Sequence, residues 1–357
     1  MKCLTVLPPA AVLLSGLLFS HAYAQDQIPL ETDEEAPAAL DDVVVTASLE
    51  PLSARDVASS ITVITREEIE QRQVKFVGDI LRDVPGFNVS QSGGPGSQTQ
   101  VRVRGSESNQ VLVLVDGIRA NDPAAADEFQ WQYALTSDVE RIEIVRGPQS
   151  SIWGSDAVAG VINIIRKKDA PDSYVAGSAE VGSFNTTDLA VNGAWTGDGV
   201  RVRGGVSWLD TDGINASLAG DEKDGTENTT GNLGFEWDIT DAIELLASVQ
   251  AVDATNRFDD FDFFVTGLPI DADRVTDAEQ AYWRGELRFE PEDSIWTGST
   301  SVNYTDTDNT NIYDGEFNSS TAADTLEFRG KASALLEGSG GGQHRFTALL
   351  DYRDVDF

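Results

Sequence analysis

Cysteine and histidine are nearly missing from these 357 residues, and basic residues are scarce. Cys3 is the one cysteine, and it lies in a segment that reads as an export signal. Lys2 gives a positive start, residues 4–19 are largely apolar around Pro8 and Pro9, and Ala22-Tyr23-Ala24 supplies the small-x-small pattern before a cleavage point. A chain cut after Ala24 has no cysteine, which excludes disulfides, thiolate metal centres and cysteine nucleophiles. His21 leaves with the signal, and His344 alone cannot build a multi-histidine metal site. With 25 Lys and Arg against 60 Asp and Glu, the formal charge is −35. That sign repels phosphate backbones, so no nucleic-acid partner is expected. It suits hard cations held by oxygen, or a salty milieu that screens self-repulsion, and composition does not rank the two. Beyond the signal, no apolar run approaches the roughly 20 residues of a spanning helix. Membrane residence would therefore require a closed β-barrel.

What is present falls into four stretches: a signal at 1–24, a leader at 25–51, a mixed domain at 52–167 and a strand-rich part at 168–357. The leader is acidic and rich in Ala and Pro up to residue 40, too poor in apolar residues to fold alone. Within it, DDVVVTAS at 41–48 carries three valines with strand preference. This island is either the first strand of the next domain or a strand donated to a partner by β-augmentation. In the mixed domain, residues 61–64 read as a strand, and Thr65 with Glu68 forms a capping box for the helix that follows. A second helix over 77–82 stops at Pro85-Gly86. Strands are expected at 87–89, 101–104, 111–115, 142–145 and 161–165, with loops at 91–97 and 121–127. Residues 147–155 are Gly-rich but lack the Gly-Lys-Ser/Thr ending of a phosphate loop, so they read as a tight turn.

From about residue 171 strict alternation replaces helix periodicity. Nine strands are expected, near 174–183, 186–196, 200–210, 229–238, 243–253, 280–290, 294–305, 325–337 and 343–353. Aromatics near their ends (Trp195, Trp208, Trp237, Tyr282, Trp283, Trp296, Tyr304) fit the interfacial girdles of membrane strands. Alternation alone also permits a soluble antiparallel sandwich. Short turns at 197–199 and 240–241 alternate with long loops expected at 211–228, 254–279 and 306–324.

The segments FVGDILRDVPGFNVSQ, VRVRG, VLVLVDGIRAND and VERIEIVRGPQSSIWGSDAVAGVINII follow one another between residues 76 and 165. This ordered set resembles the plug domain of TonB-dependent outer-membrane receptors. Further likeness at Thr211-Asp212-Gly213, Asn256-Arg257 and Asp260-Phe261-Asp262-Phe263-Phe264 points to the cobalamin receptors of that family. The resemblance implies a mixed α/β plug domain at 52–167 followed by an antiparallel transmembrane β-barrel, in the outer membrane of a Gram-negative bacterium. It implies active import of cobalamin or a related corrinoid, and no enzyme activity. Asp42, Val43, Val44, Val45 and Thr46 would be the TonB box, the strand on which TonB pulls. Gln91, Ser92, Gly93, Gly94, Asn121 and Asp122 would face the substrate, with Phe261 and Phe263 covering it from above. Calcium would be held by Asp212, Asp221, Asp224, Asp262 and Asp271, with plain solvated loops as the alternative; no redox or organic cofactor is implied. Arg102, Arg104, Arg141 and Arg146 would meet acidic groups of the barrel wall. A ferric siderophore, haem or another chelate remains a possible cargo. A non-transporting adhesin or phage-receptor barrel is the reading from another class. The family closes about 22 strands around its plug, so nine strands lead to the expectation of a truncated chain.

Overall fold

The computed structural model describes residues 60–166, 173–217, 220, 222–262, 265–337 and 342–357, with the backbone of 44–45 and 52–53. The first pairing is antiparallel, between β1 (Val44–Val45) and β2 (Leu52–Ser53). The mixed domain follows as β3 (Ser60–Thr65), α1 (Arg66–Arg72), α2 (Val77–Ile80), β4 (Phe87–Gln91), β5 (Thr99–Val103), β6 (Val111–Val115), β7 (Ile118–Arg119), β8 (Val139–Arg146), α3 (Ser150–Trp153) and β9 (Gly160–Arg166). Thr65 caps α1, with the expected reciprocal bond from Glu68.

Five strands form one sheet in the order β3-β8-β9-β6-β7, and β6 with β9 is its parallel pair. The run VLVLV explains why β6 lies inside: an unbroken apolar strand gains by covering both faces. Val111, Val113 and Val115 pack on one side with Ile80, Leu81 and Ile144. Leu112 and Leu114 pack on the other with Trp153 and Val161. The short β7 and α3 carry no period long enough to be read from sequence.

The remaining strands form an antiparallel wall in chain order. They are β10 (Tyr174–Val181), β11 (Thr187–Gly197), β12 (Val200–Ile214), β13 (Asp224–Thr240), β14 (Ile243–Phe261), β15 (Pro269–Phe289), β16 (Trp296–Tyr313), β17 (Glu316–Glu337) and β18 (Gln343–Asp356). The expected nine are thus present among the described residues, but they are longer than expected. Much of the three stretches read as long loops continues the ladders: β17 alone runs 22 residues. The reason is that Thr, Asn and Asp alternate there, and the ladder needs only backbone groups. About ten residues suffice to cross a membrane, so the excess projects beyond it.

The wall inverts the ordinary burial pattern. Val206, Leu233, Trp283, Val302, Leu326 and Phe328 point outward and are exposed. Asn228, Glu286, Asn303, Thr307 and Glu327 point inward and are buried. A soluble sandwich would bury its apolar face. Apolar outside and polar inside is the membrane-barrel arrangement.

The mixed domain packs against the inner face. Tyr282 of β15 joins the main core. Gly96, at φ +81°, approaches β13 so closely that a Cβ would stand 2.4 Å from Cβ of Thr226. Gly105 has the same φ and nothing within 4 Å. Gly96→Ala should therefore destabilise the structure more than Gly105→Ala, by about the 1–3 kcal/mol of an overpacked contact. Equal thermal midpoints for the two variants would contradict the seating of this loop.

Candidate functional site

Above the membrane-crossing part of the wall, two hairpins bring acids together. Carboxylate oxygens of Glu222, Asp259 and Asp271 lie within 4.8 Å of one another. Asp259 accepts from the backbone N–H of Ser217 at 2.6 Å and of Ala272 at 3.2 Å, and so joins the β12–β13 connection to the β14–β15 hairpin. Asp224 accepts from the N–H of Ala216 at 2.6 Å. Burial first, and then the Asp259 charge, push its carboxyl up to about 6. Gly220 crosses so near Asp271 that a Cβ would overlap the carboxylate.

Of the expected calcium ligands, the structure gathers Asp271 into this cluster and sets Asp224 against Asp259. Asp212 lies elsewhere: Lys223 and Asn185 bond its carboxylate and hold it below the usual range. Asp262 accepts from the N–H groups of Val265 and Thr266, which makes it the cap of a turn. Asp221 lies outside the described residues. Glu222 and Asp259 are the acids that sequence reading passed over. They stand among many loop acids, and only folding of two distant hairpins selects them.

Of the expected ligand-facing residues, Gln91 and Ser92 fold their loop on itself. Gln91 Nε2 donates to the Gly94 carbonyl at 2.8 Å, and Ser92 Oγ donates to the Gln98 carbonyl at 3.3 Å. Gly93 packs on Ser97, and Gly94 lies against Ile214 and Asp224 of the wall. This loop is therefore next to the acid cluster. Asn121 and Asp122 require a correction. The Asn121 amide is committed within its own domain, accepting from Val113 N–H and donating to the carbonyls of Val111 and Asp127. Asp122 is wholly buried and accepts from Thr307 Oγ1 at 3.1 Å and Asn309 Nδ2 at 3.3 Å. It ties the inner domain to the wall and presents nothing to a ligand. Phe261 ends β14, opposite Pro269; Phe263 lies outside the described residues.

Arg102, Arg141 and Arg146 also depart from expectation, bonding inside their own domain to Gln100, Glu143 and Thr62. Arg104 occupies a left-handed turn at φ 53°. The contacts with the wall come from other residues. Lys75 pairs at 2.6 Å with both Glu180 and Asp188. Arg119 pairs with Glu327 of β17 at 2.9 Å and with Asp156 at 3.1 Å. Asp156 in turn pairs with Arg353 of β18 at 2.9 Å, and Arg329 stacks on Trp153 at 4.4 Å.

A domain inside a wall that is polar within and apolar without has the geometry of a plugged barrel. Residues 53–161 match the family model of the TonB-dependent receptor plug domain. The chain carries the plug and barrel strands of a TonB-dependent receptor. The receptor belongs to the outer membrane of Gram-negative bacteria. Over 190 residues it is 42% identical to the vitamin B12 transporter BtuB of Vibrio vulnificus, which covers 51% of this chain and 30% of that protein. The ferripyoverdine receptor of Pseudomonas aeruginosa superposes with a TM-score of 0.72 at 15% identity, covering 87% of this chain and 44% of its own. The siderophore receptor PiuA of Acinetobacter baumannii gives 0.70 at 19%, covering 88% and 48%. At such identities these structures establish the fold. The receptor chain thus spans less than a third of the curated relative and about half of the solved ones.

In the receptor's expected TonB box, Val44 and Val45 pair with Ser53 and Leu52. These two valines form a short strand; Asp42, Val43 and Thr46 lie outside the described residues.

Proposed function

We propose that the receptor imports cobalamin or a related corrinoid across the outer membrane, with energy delivered by TonB through residues 42–46. The observation that carries this reading is the 42% identity to a vitamin B12 transporter across 190 residues. No bond is made or broken, and the work is binding, release and movement of the plug. TonB would add a strand to the valine island, where main-chain hydrogen bonds supply the grip.

Glu222, Asp259 and Asp271 suit a hard cation such as calcium. Calcium takes six to eight oxygens, commonly from carboxylates on flexible loops, and these three side chains each bring one carboxylate oxygen to within 4.8 Å of the others. The raised Asp224 carboxyl supports the fit, because it reflects burial and crowding of like charge that a cation would relieve. Since Asp259 already joins two hairpins, cation binding there would fix both above the loop at 91–97. The ion's role is to order the surface that receives cargo.

The test is equilibrium binding of cyanocobalamin to the purified receptor with calcium and with a chelator. Tight binding that weakens on chelation is expected. Loss of at least about tenfold, or 1.4 kcal/mol, is expected for Asp259→Ala in calcium. Binding of a ferric chelate with no affinity for cyanocobalamin would overturn the cargo assignment.

A further inference from the structure

Along part of the described wall the plug is tied by charged and polar side chains. Lys75 holds β10 and β11, Asp122 holds β16, and Arg119 and Asp156 hold β17 and β18. Against β13, β14 and β15 the seam has a different character. Near the short turns that end these strands, a cavity of about 430 Å³ is lined by Gly117 and Trp153 of the plug and by Ser248 and Arg284 of the wall, and it reaches Arg203 of β12 on one side and Leu349 of β18 on the other. That volume falls within the roughly 300–1,000 Å³ of ligand-sized sites.

A second cavity, of about 40 Å³, lies further along the same strands, between Arg166 of the plug and Gln250 and Tyr282 of the wall. Arg166 is 6% exposed. Its Nε pairs with Asp116 at 2.6 Å, while Nη1 has no partner, and Gln250 Oε1 has none either. Buried polar groups are nearly always satisfied. A donor and an acceptor left open around one cavity are matched by water, which needs about 10–15 Å³ per molecule. The two cavities share three strands, offset along them by a few residues: Ser248 then Gln250 on β14, Arg284 then Tyr282 on β15. Beyond them Tyr133, 3% exposed, packs on Val252, Ala254 and Ala278 and closes the seam.

The wall charges at the lower cavity neutralise one another. Arg201 and Arg203 both pair with Glu236, and Arg288 pairs with Glu244 and Glu286. Arg284 reaches the Gly117 carbonyl at 3.4 Å, a long hydrogen bond. A passage must bind its cargo weakly enough to let it leave. A wall whose charges are already paired meets that condition for a polar solute that hydrogen-bonds through amides.

We propose that cargo passes the plug along this seam, between Tyr133, Arg166 and Gly117 on one side and the β13–β15 wall on the other, with Tyr133 as the outer closure. The Arg119 and Asp156 corner then serves as the attached side from which the plug swings. This inference rests on the transport reading and deepens it.

The test uses the receptor in its cell of origin. Cys3, in the expected signal, is the one cysteine of these 357 residues, so Ser248→Cys places a single thiol in the seam. A bulky maleimide on it should cut uptake of labelled cyanocobalamin at least tenfold and leave surface binding unchanged. The same label on Ser320→Cys, exposed on the outer part of β17 and lining neither cavity, should leave uptake intact. Normal uptake by labelled Ser248→Cys, or equal block at both positions, would overturn the proposal. A second arm needs no cargo: Tyr133→Ala should admit, without TonB, a large polar antibiotic that the outer membrane excludes. Unchanged exclusion by a correctly inserted Tyr133→Ala receptor would count against the seam. Failure of the receptor to bind cyanocobalamin would overturn the corrinoid reading alone, since the antibiotic arm is independent of it.

Discussion

Deleting residues 42–46 is expected to reduce corrinoid uptake to the level of a strain lacking TonB, with surface binding unchanged. The expectation follows from where energy can enter. The Gly-rich turn at 147–155 lacks the lysine of a phosphate loop, and the proposed source of work is the pull of TonB on the leader. Val44 and Val45 already adopt a paired strand, which shows that this island accepts ladder hydrogen bonds. TonB must compete with that pairing or add to its free edge. Val44→Pro keeps the length of the leader and removes one backbone donor, and it should give the same loss. Uptake that survives both changes would identify a passive surface barrel.

Replacing Arg119 by alanine should destabilise the seated plug by about 1.5–3 kcal/mol, the cost of taking one charge-assisted partner from a buried carboxylate that keeps another. Glu327 is the charge in question: it is 2% exposed, pairs with Arg119 at 2.9 Å and keeps Arg329 of its own strand at 3.0 Å. Arg119 also donates to the Trp153 carbonyl at 2.6 Å, so its loss loosens the corner from both sides. Lysine cannot replace the planar fork, and Arg119→Lys should recover only part of the loss. Arg82→Ala is the contrast, because its pair with Asp79 is partly exposed on both sides and should cost less than about 1 kcal/mol. Midpoints of thermal or denaturant unfolding would read both. Equal shifts would contradict the assignment of Arg119 as a principal tie.

The architecture was legible where pattern is local. The capping box at Thr65 and Glu68, the run at 111–115 and the alternation beyond residue 171 each specify their element through neighbours in sequence. Strand length was not legible, because Thr307 and Asn309 look like loop residues until a plug covers them. The site was legible in region and not in membership. Acids crowd the stretches 210–224 and 259–273, but which of them converge depends on the register of β13 with β14 and of β14 with β15. Those registers select Glu222 and Asp259, while the β12–β13 pairing sends Asp212 to Lys223. Asn121 and Asp122 misled for a related reason: a polar turn is exposed by default, and the wall that buries it comes from residues nearly 190 positions away.

The central claim is corrinoid import driven by TonB. Its most direct test is accumulation of labelled cyanocobalamin by cells of origin that carry this receptor as their sole corrinoid receptor, measured with and without TonB. Accumulation that requires both the receptor and TonB is the predicted result. Accumulation of a ferric chelate in place of cyanocobalamin, or uptake indifferent to TonB, would contradict it.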